Sequence, residues 1–360
     1  MDTINIGVDL HKHQFTNYYL FKNDGVYGKF STNDKGINCF KNEIKQFMDK
    51  GFKIKIAVES TGNTRYFKNE IEKLGVEVFV INTMRFKIVC ESVNKTDKRD
   101  ARTISEFLSK DMLPLVNLCS EKSEKLRRLI KVRKQLVKTC VKMKNTIHGI
   151  LLSLGIESKA GMLNSNKGLD KVGNMIVDNE NHLIVETIIN TIKNLKVQIK
   201  DIDEKLAEMA KGDRAVEILQ SLPGTGMINA ITARAGIDDI KKFDHHNKLG
   251  AYCGLVPWVS CSDEKEHYGK ITKRGPVELR TVMVQMVLGM IRCKEEKNNR
   301  LMVMYRNLKK TKGSGKALIA TARKLTKIIW TMLTYDEEYK SEKLNTALDE
   351  TSKKDSNKAA

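Results

Sequence analysis

Four carboxylates stand where chain geometry can gather them. Asp9 closes the apolar run Ile4-Asn5-Ile6-Gly7-Val8-Asp9, and Glu59 closes Ile54-Lys55-Ile56-Ala57-Val58-Glu59. Runs of this kind read as buried strands, so both acids fall at strand carboxyl ends, where the functional groups of mixed sheets collect. Asp97 and Asp100 lie three apart in Asn94-Lys95-Thr96-Asp97-Lys98-Arg99-Asp100-Ala101, at the start of a helical pattern, and share one helix face. Acids gathered at one sheet edge repel one another unless a cation neutralises them. Hard ions such as Mg²⁺ take oxygen ligands, and paired ions of this kind serve phosphoryl transfer. Each acid taken singly has a structural reading, since Thr96 or Asp97 would also cap a helix. The set, with two members at strand ends, points to metal-dependent chemistry.

The elements that must position these acids are legible as patterns. Residues 4–9, 16–21 and 27–31 read as strands, separated by turns such as Asn23-Asp24-Gly25. A helix follows over 35–49, with Ile37, Phe40, Ile44 and Phe47 on one face, then a strand over 54–59, a helix over 65–74, a strand over 76–81 and a helix over 97–109. Three strands in a row followed by alternating helices and strands is the order of an RNase H-like α/β domain, assigned to residues 1–112. A helical region, 113–214, follows. Its first helix spans 121–154. Its second spans 183–210, where Val185, Ile188, Ile192, Leu195, Ile199, Ile202, Leu206 and Met209 step by three and four as in a coiled-coil seam. The polar segment 157–181 between them reads as a loop or a partly disordered connector. Two readings of the helix pair stay open: a hairpin packed on its own chain, and a surface for a second copy or for nucleic acid.

Residues 215–335 form a mostly helical unit, with helices expected over 245–253, 276–294 and 316–334. Leu219-Gln220-Ser221-Leu222-Pro223-Gly224-Thr225-Gly226, followed by a helix from Ile228 to Ala235, resembles a helix-hairpin-helix whose turn can aim backbone N–H groups at a phosphate. An ordinary Pro-Gly turn explains the same residues equally well. The polar tail 336–360 reads as disordered. The fold class is therefore α/β plus all-α.

The bulk numbers favour a polyanionic partner, because the net charge is +20 and the pI is near 9.5. Between 121 and 144 ten basic residues face two acidic ones. Lys122, Lys125, Arg127, Arg128, Lys131, Arg133 and Lys134 are the nucleic-acid-binding candidates there. Seven cysteines without a CxxC pair argue for reduced thiols in a cytoplasmic protein and against a zinc site or disulfide framework. No run approaches the roughly 18 apolar residues of a membrane span, and the N-terminus lacks the pattern of a secretion signal. Gly313-Ser314-Gly315-Lys316 fails as a nucleotide loop, because Lys310 stands where the first Gly belongs and Ala317 follows the lysine. His11 and His13 read as exposed turn histidines in preference to metal ligands.

The motifs together resemble a known family. Gly7-Val8-Asp9-Leu10-His11-Lys12, Val58-Glu59-Ser60-Thr61-Gly62 and Asn94 to Arg102 look like the DEDD motif of the IS one-ten transposases, whose N-terminal domain is RuvC-like. Leu222-Pro223-Gly224-Thr225-Gly226, Phe243, Tyr252-Cys253-Gly254-Leu255-Val256-Pro257 and Ile271-Thr272-Lys273-Arg274-Gly275 match the C-terminal half in order. Lys273 and Arg274 join the nucleic-acid-binding candidates. The resemblance implies that Asp9, Glu59, Asp97 and Asp100 hold Mg²⁺. It further implies that a serine of the C-terminal domain becomes covalently linked to DNA. Counting from Pro257 places that serine at Ser262, with Ser260 in register if the segment carries an indel. It also implies donor and target double-stranded DNA and a structured bridge RNA. The coiled-coil seam offers a way to pair protomers into a dimer or tetramer, and the expected location is the cytoplasm, at the nucleoid during transposition. Two other functions compete: a RuvC-like junction nuclease in which water attacks, and a non-catalytic nucleic-acid scaffold.

Overall fold

The computed structural model describes residues 2–22, 24–89, 97–159, 161–262, 265–293 and 299–340. The chain forms two compact units, Met1–Leu118 and Cys119–Ala360.

The first unit carries β1 (Thr3–Leu10), β2 (Gln14–Leu20), β3 (Gly25–Ser31), α1 (Asp34–Asp49), β4 (Lys53–Glu59), α2 (Thr64–Glu72), β5 (Glu77–Ile81), α3 (Thr83–Val89) and α4 (Asp97–Ser109). The sheet order is β3-β2-β1-β4-β5. The first three strands run antiparallel, while β1, β4 and β5 run parallel. This order is compatible with an RNase H-like DEDD domain. The short helix α3 has no counterpart among the expected elements.

Alternation along the strands divides the sheet into two faces. Ile4, Ile6 and Val8 of β1 and Ile54, Ile56 and Val58 of β4 bury against Ile37, Phe40 and Ile44 of α1 and Phe67 and Ile71 of α2. Ala57 and Ile81 take the opposite face, in a core with Phe86, Ile104 and Leu108. Gly7, Asp9 and Glu59 share the parity of Ala57 and therefore lie on the face that α4 covers. Gly7 sets how close α4 comes. A Cβ there would stand 2.1 Å from the Ala101 carbonyl oxygen and 2.5 Å from the Ser105 amide nitrogen. Any larger residue would push the helix off the strand two positions before Asp9.

In the second unit, α5 (Glu121–Ser153), α6 (Asn166–Gly173) and α7 (Asn179–Ala210) come first. Side-chain caps start the long helices: Ser120 accepts from the Ser123 amide, and Asp178 accepts from the Asn181 amide. The stretch between them is folded, unlike the expected loop. Leu163, Leu169, Val172 and Ile176 are buried with Ile147 and Leu151 of α5 and with Val185, Ile189 and Ile192 of α7. Leu169, Val172 and Ile176 step by three and four over only two turns, a short helical signal amid polar residues, and together with Leu163 they close the tip of the helix pair. The α7 seam finds apolar partners within its own chain, because Leu206 joins a core with Leu126 and Ile130 of α5.

The remaining elements are α8 (Arg214–Gln220), α9 (Met227–Ile237), α10 (His246–Tyr252), β6 (Pro257–Ser262), β7 (Lys265–Ile271), α11 (Val277–Arg292), α12 (Arg300–Lys312) and α13 (Ser314–Tyr335). Their core gathers Ile218, Ile231, Leu249, Met283, Met286, Leu325 and Ile329. The β6–β7 hairpin and α12 are absent from the expected elements. The expected disordered tail falls outside the described residues from 341 onward.

Candidate active site

Asp9 ends its strand buried, with 8% of its surface exposed. Two residues on, His11 places Nε2 3.1 Å from Asp9 Oδ2 and 3.5 Å from Asp97 Oδ1. One ligand atom from each of Asp9, His11 and Asp97 lies within 4.8 Å of the others. The sequence reading set His11 aside as an exposed turn histidine; half its side chain is exposed, but its ring nitrogen bridges the two acids. Glu59 follows the parallel pair Val8–Val58 and so stands beside Asp9 on the next strand. Glu59 and Asp100 lie outside the 4.8 Å group, although the Asp100 charge acts on Asp9.

A hydrogen-bonded turn fixes the end of β4 against this cluster. The Thr61 amide donates to Thr64 Oγ1 at 2.7 Å, and that hydroxyl donates to the Glu59 carbonyl oxygen at 2.7 Å. Thr61 Oγ1 donates to Asn63 Oδ1 at 2.9 Å, and Asn63 Nδ2 donates to the His11 carbonyl oxygen at 3.0 Å. The residues after Glu59 thus act as a clasp between the β4–α2 turn and the β1–β2 turn.

Burial holds the Asp9 carboxyl above its ordinary pKa of 3.8. The His11 charge opposes the shift, and the Asp97 and Asp100 charges reinforce it. A second carboxylate and an imidazole converging on a buried, reluctantly ionised acid suit a divalent cation, which would relieve the repulsion. The sign of the pH effect follows. Between 3.8 and the raised value the folded state binds more protons than the unfolded one, so stability falls as pH rises through that window. At neutral pH the cost is fully present. Asp9→Asn should therefore raise the melting temperature of the metal-free protein at pH 7, by about 2–4 °C for each kcal/mol relieved. The gain should vanish below pH 3.8, where Asp9 is protonated in both states. Thermal melts at both pH values check this, and a lower melting temperature at pH 7 would make Asp9 a structural residue.

A cleft of about 650 Å³ opens beside the acids, lined by Thr16, Tyr27, Gly28, Lys29, Asp97 and Lys98. The Lys98 ammonium lies 5.6 Å from the Tyr27 ring centroid and the Arg102 guanidinium 5.8 Å from that of Tyr18. The two tyrosine rings are 4.6 Å apart. These cation–π contacts tie the first turns of α4, and with them Asp97 and Asp100, to β2 and β3.

In the second unit Ser262 ends β6, paired with Lys265, and Ser260 pairs with His267. The Ser262 side chain lies outside the described residues. Ser260 is half-buried. The candidate serines thus belong to a strand hairpin, in a stretch to which the sequence assigned no element. The turn between α8 and α9 has Gly224 at φ 71°, and a Cβ there would meet the Gly289 carbonyl carbon at 2.4 Å, so this turn packs on the backbone of α11.

Two family models match the chain. A DEDD transposase model covers residues 6–156, and the model of the Transposase IS116/IS110/IS902 family covers residues 216–301. The chain belongs to this transposase family. Its relatives agree. The transposase for insertion sequence element IS1111A of Coxiella burnetii is 27% identical over 79% of each chain. That for element IS1328 of Yersinia enterocolitica is 26% identical over 91% of this chain and 96% of its own. A probable family 20 transposase of Pseudomonas aeruginosa is 22% identical over 94% of this chain and 99% of its own. The chain is thus an enzyme of insertion sequences, and the family implies a DNA substrate and a divalent metal. No described helix is long and apolar enough to cross a membrane.

Most of the α5 cations in this transposase have partners inside the protein. Lys122 pairs with Asp213 at 2.9 Å, Lys125 with Glu121 at 2.7 Å, and Lys134 with Glu278 at 3.0 Å. Arg128 pairs with Glu124, and Arg133 forms a bidentate contact with Asp203. Arg127 donates from Nε to the Ala235 carbonyl oxygen at 2.7 Å and from Nη2 to that of Gly236 at 2.9 Å, closing the last turn of α9. Lys131 is exposed. Lys273 and Arg274 are exposed in the turn after β7, where the Lys273 amide donates to the Gly254 carbonyl oxygen at 3.2 Å.

Proposed function

We propose that this transposase cuts and rejoins DNA at the ends of its insertion sequence through a metal-holding acid cluster and a serine nucleophile, directed by a bridge RNA. The observation that carries the first part is the convergence of Asp9, His11 and Asp97 at the end of β1. Asp9, Asp97, Glu59 and Asp100 would hold Mg²⁺, which when bound polarises the scissile phosphate and stabilises the leaving oxygen. The Ser262 hydroxyl gives up its proton and attacks phosphorus. An O–P bond to serine forms, the P–O bond to the leaving DNA strand breaks, and the released DNA oxygen takes a proton. The covalent link keeps the bond energy, so the reverse attack by a DNA hydroxyl rejoins strands without ATP. The cleft beside Asp97, with Lys29 and Lys98 on its wall, suits the backbone of the strand being cut.

Assembly into a dimer or tetramer through the α5–α7 helix pair belongs to the same reading, as does work on donor and target duplexes at the nucleoid. The RNA component is tested on the purified protein with whatever RNA it retains. Recombination between donor and target plasmids should stop after ribonuclease treatment and return with the structured RNA transcribed from beside the gene. Undiminished recombination after complete RNA removal would contradict the guide.

A further inference from the structure

The tip of the last two helices carries lysines that no described acidic residue pairs with. From Arg300 to Tyr335 there are nine basic residues and no Asp or Glu. α12 and α13 fold back on each other across the single residue Gly313, and Asn299 before α12 bonds Tyr339 beyond α13. Lys309, Lys310, Lys312 and Lys316 surround that tip, all exposed, and none forms an ion pair among the described residues. The α5 cations offer the contrast, since most of them are held by carboxylates or carbonyls.

Helix electrostatics explains only part of this. Lysines in the last turn of α12 complement its C-terminal dipole. Lys316 stands in the first turn of α13, where the dipole disfavours a cation and no acidic residue offsets it. Arg323 and Lys327 follow Lys316 by seven and eleven positions, so they extend the charge along one helix face for roughly 16 Å. Like charges gathered without an internal counter-ion form a surface of positive potential that suits a polyanion. No aromatic residue lies between Tyr305 and Trp330, so the surface lacks the stacking platforms that hold single strands. We propose that the α12–α13 tip is a docking surface for the phosphate backbone of duplex DNA. The assignment rests on the transposase reading, which supplies DNA as the partner.

Binding of a labelled random-sequence duplex, followed by fluorescence anisotropy across a salt series, tests it. In the full chain carrying Lys309→Gln, Lys310→Gln, Lys312→Gln and Lys316→Gln, the slope of log affinity against log salt should become shallower by up to about 3.6, or 0.9 per lost phosphate contact. The same four positions changed to Arg should keep the parental slope. A control with Lys193→Gln, Lys200→Gln, Lys205→Gln and Lys248→Gln removes the same charge from lysines paired with Asp170, Glu204, Glu208 and Asp244, and should also keep it. A parental slope in the hairpin variant, with helicity intact by circular dichroism, would overturn the assignment. An equal loss in the control would reduce it to an effect of net charge and overturn it too. A loss confined to a structured RNA probe would give the surface to RNA instead. If the parental protein failed to bind any duplex, the DNA reading itself would fall, an outcome distinct from a misplaced surface.

Discussion

Changing Asp9, Glu59 or Asp100 to Ala should abolish strand cleavage while leaving DNA affinity and its salt dependence unchanged. A bound metal contributes several kcal/mol to transition-state stabilisation, and 1.36 kcal/mol is a factor of ten, so the expected loss is roughly a thousandfold or more. The three acids reach the site by different routes. Asp9 is buried at the end of β1, Glu59 ends the parallel neighbour, and Asp100 sits in the first turn of α4. Their variants should therefore fail alike in cleavage while differing in stability, with only the Asp9 change relieving a buried charge. Asp97→Ala should join them, because its carboxylate belongs to the tight group with Asp9 and His11. The measurement is a single-turnover cleavage assay on junction DNA with Mg²⁺ present. Cleavage at the parental rate in all of these variants would remove the acids from the chemistry.

Ser262→Ala should eliminate the covalent protein–DNA adduct while preserving DNA and metal binding. A nicked or suicide substrate traps the adduct, and a denaturing gel reads it. The expected effect is complete, because a methyl group cannot attack phosphorus. Ser262→Cys should retain at most a trace, since the longer bonds to sulfur displace the reacting phosphate. Ser262 and Ser260 lie two apart on β6, opposite Lys265 and His267. An adduct that persists in Ser262→Ala and disappears in Ser260→Ala would move the nucleophile to Ser260. DNA cut by the parental protein with no adduct at all would favour water as nucleophile and a RuvC-like nuclease.

Much of the acid site was legible because it rests on local patterns. Apolar runs place Asp9 and Glu59 at strand ends, and the spacing of Asp97 and Asp100 puts them on one helix turn. His11 was not legible, because its ring joins Asp9 and Asp97 only once α4 lies across β1. That approach depends on the missing Cβ of Gly7, a contact between residues far apart in sequence. The partners of the α5 cations were hidden for a similar reason. Charge density suggested a phosphate track, but Asp203, Asp213 and Glu278, the carboxylates that hold three of them, come from distant segments. The folded segment around α6 was hidden by its polar composition, since Leu169, Val172 and Ile176 step by three and four but span only two turns amid polar residues. The β6–β7 hairpin lacks a strong turn signal and shows itself only in the pairing of Pro257–Ser262 with Lys265–Ile271.

The central claim is that Asp9 and Asp97 share a divalent cation that strand cleavage requires. Its most direct test is titration of the full chain with Mn²⁺, a spectroscopic substitute for Mg²⁺, followed by electron paramagnetic resonance. The parental protein should show a saturable bound-Mn²⁺ signal that Mg²⁺ displaces, and Asp9→Asn and Asp97→Asn should each lose it together with cleavage. Equal stoichiometry and affinity for Mn²⁺ in the parental protein and both variants would contradict the account.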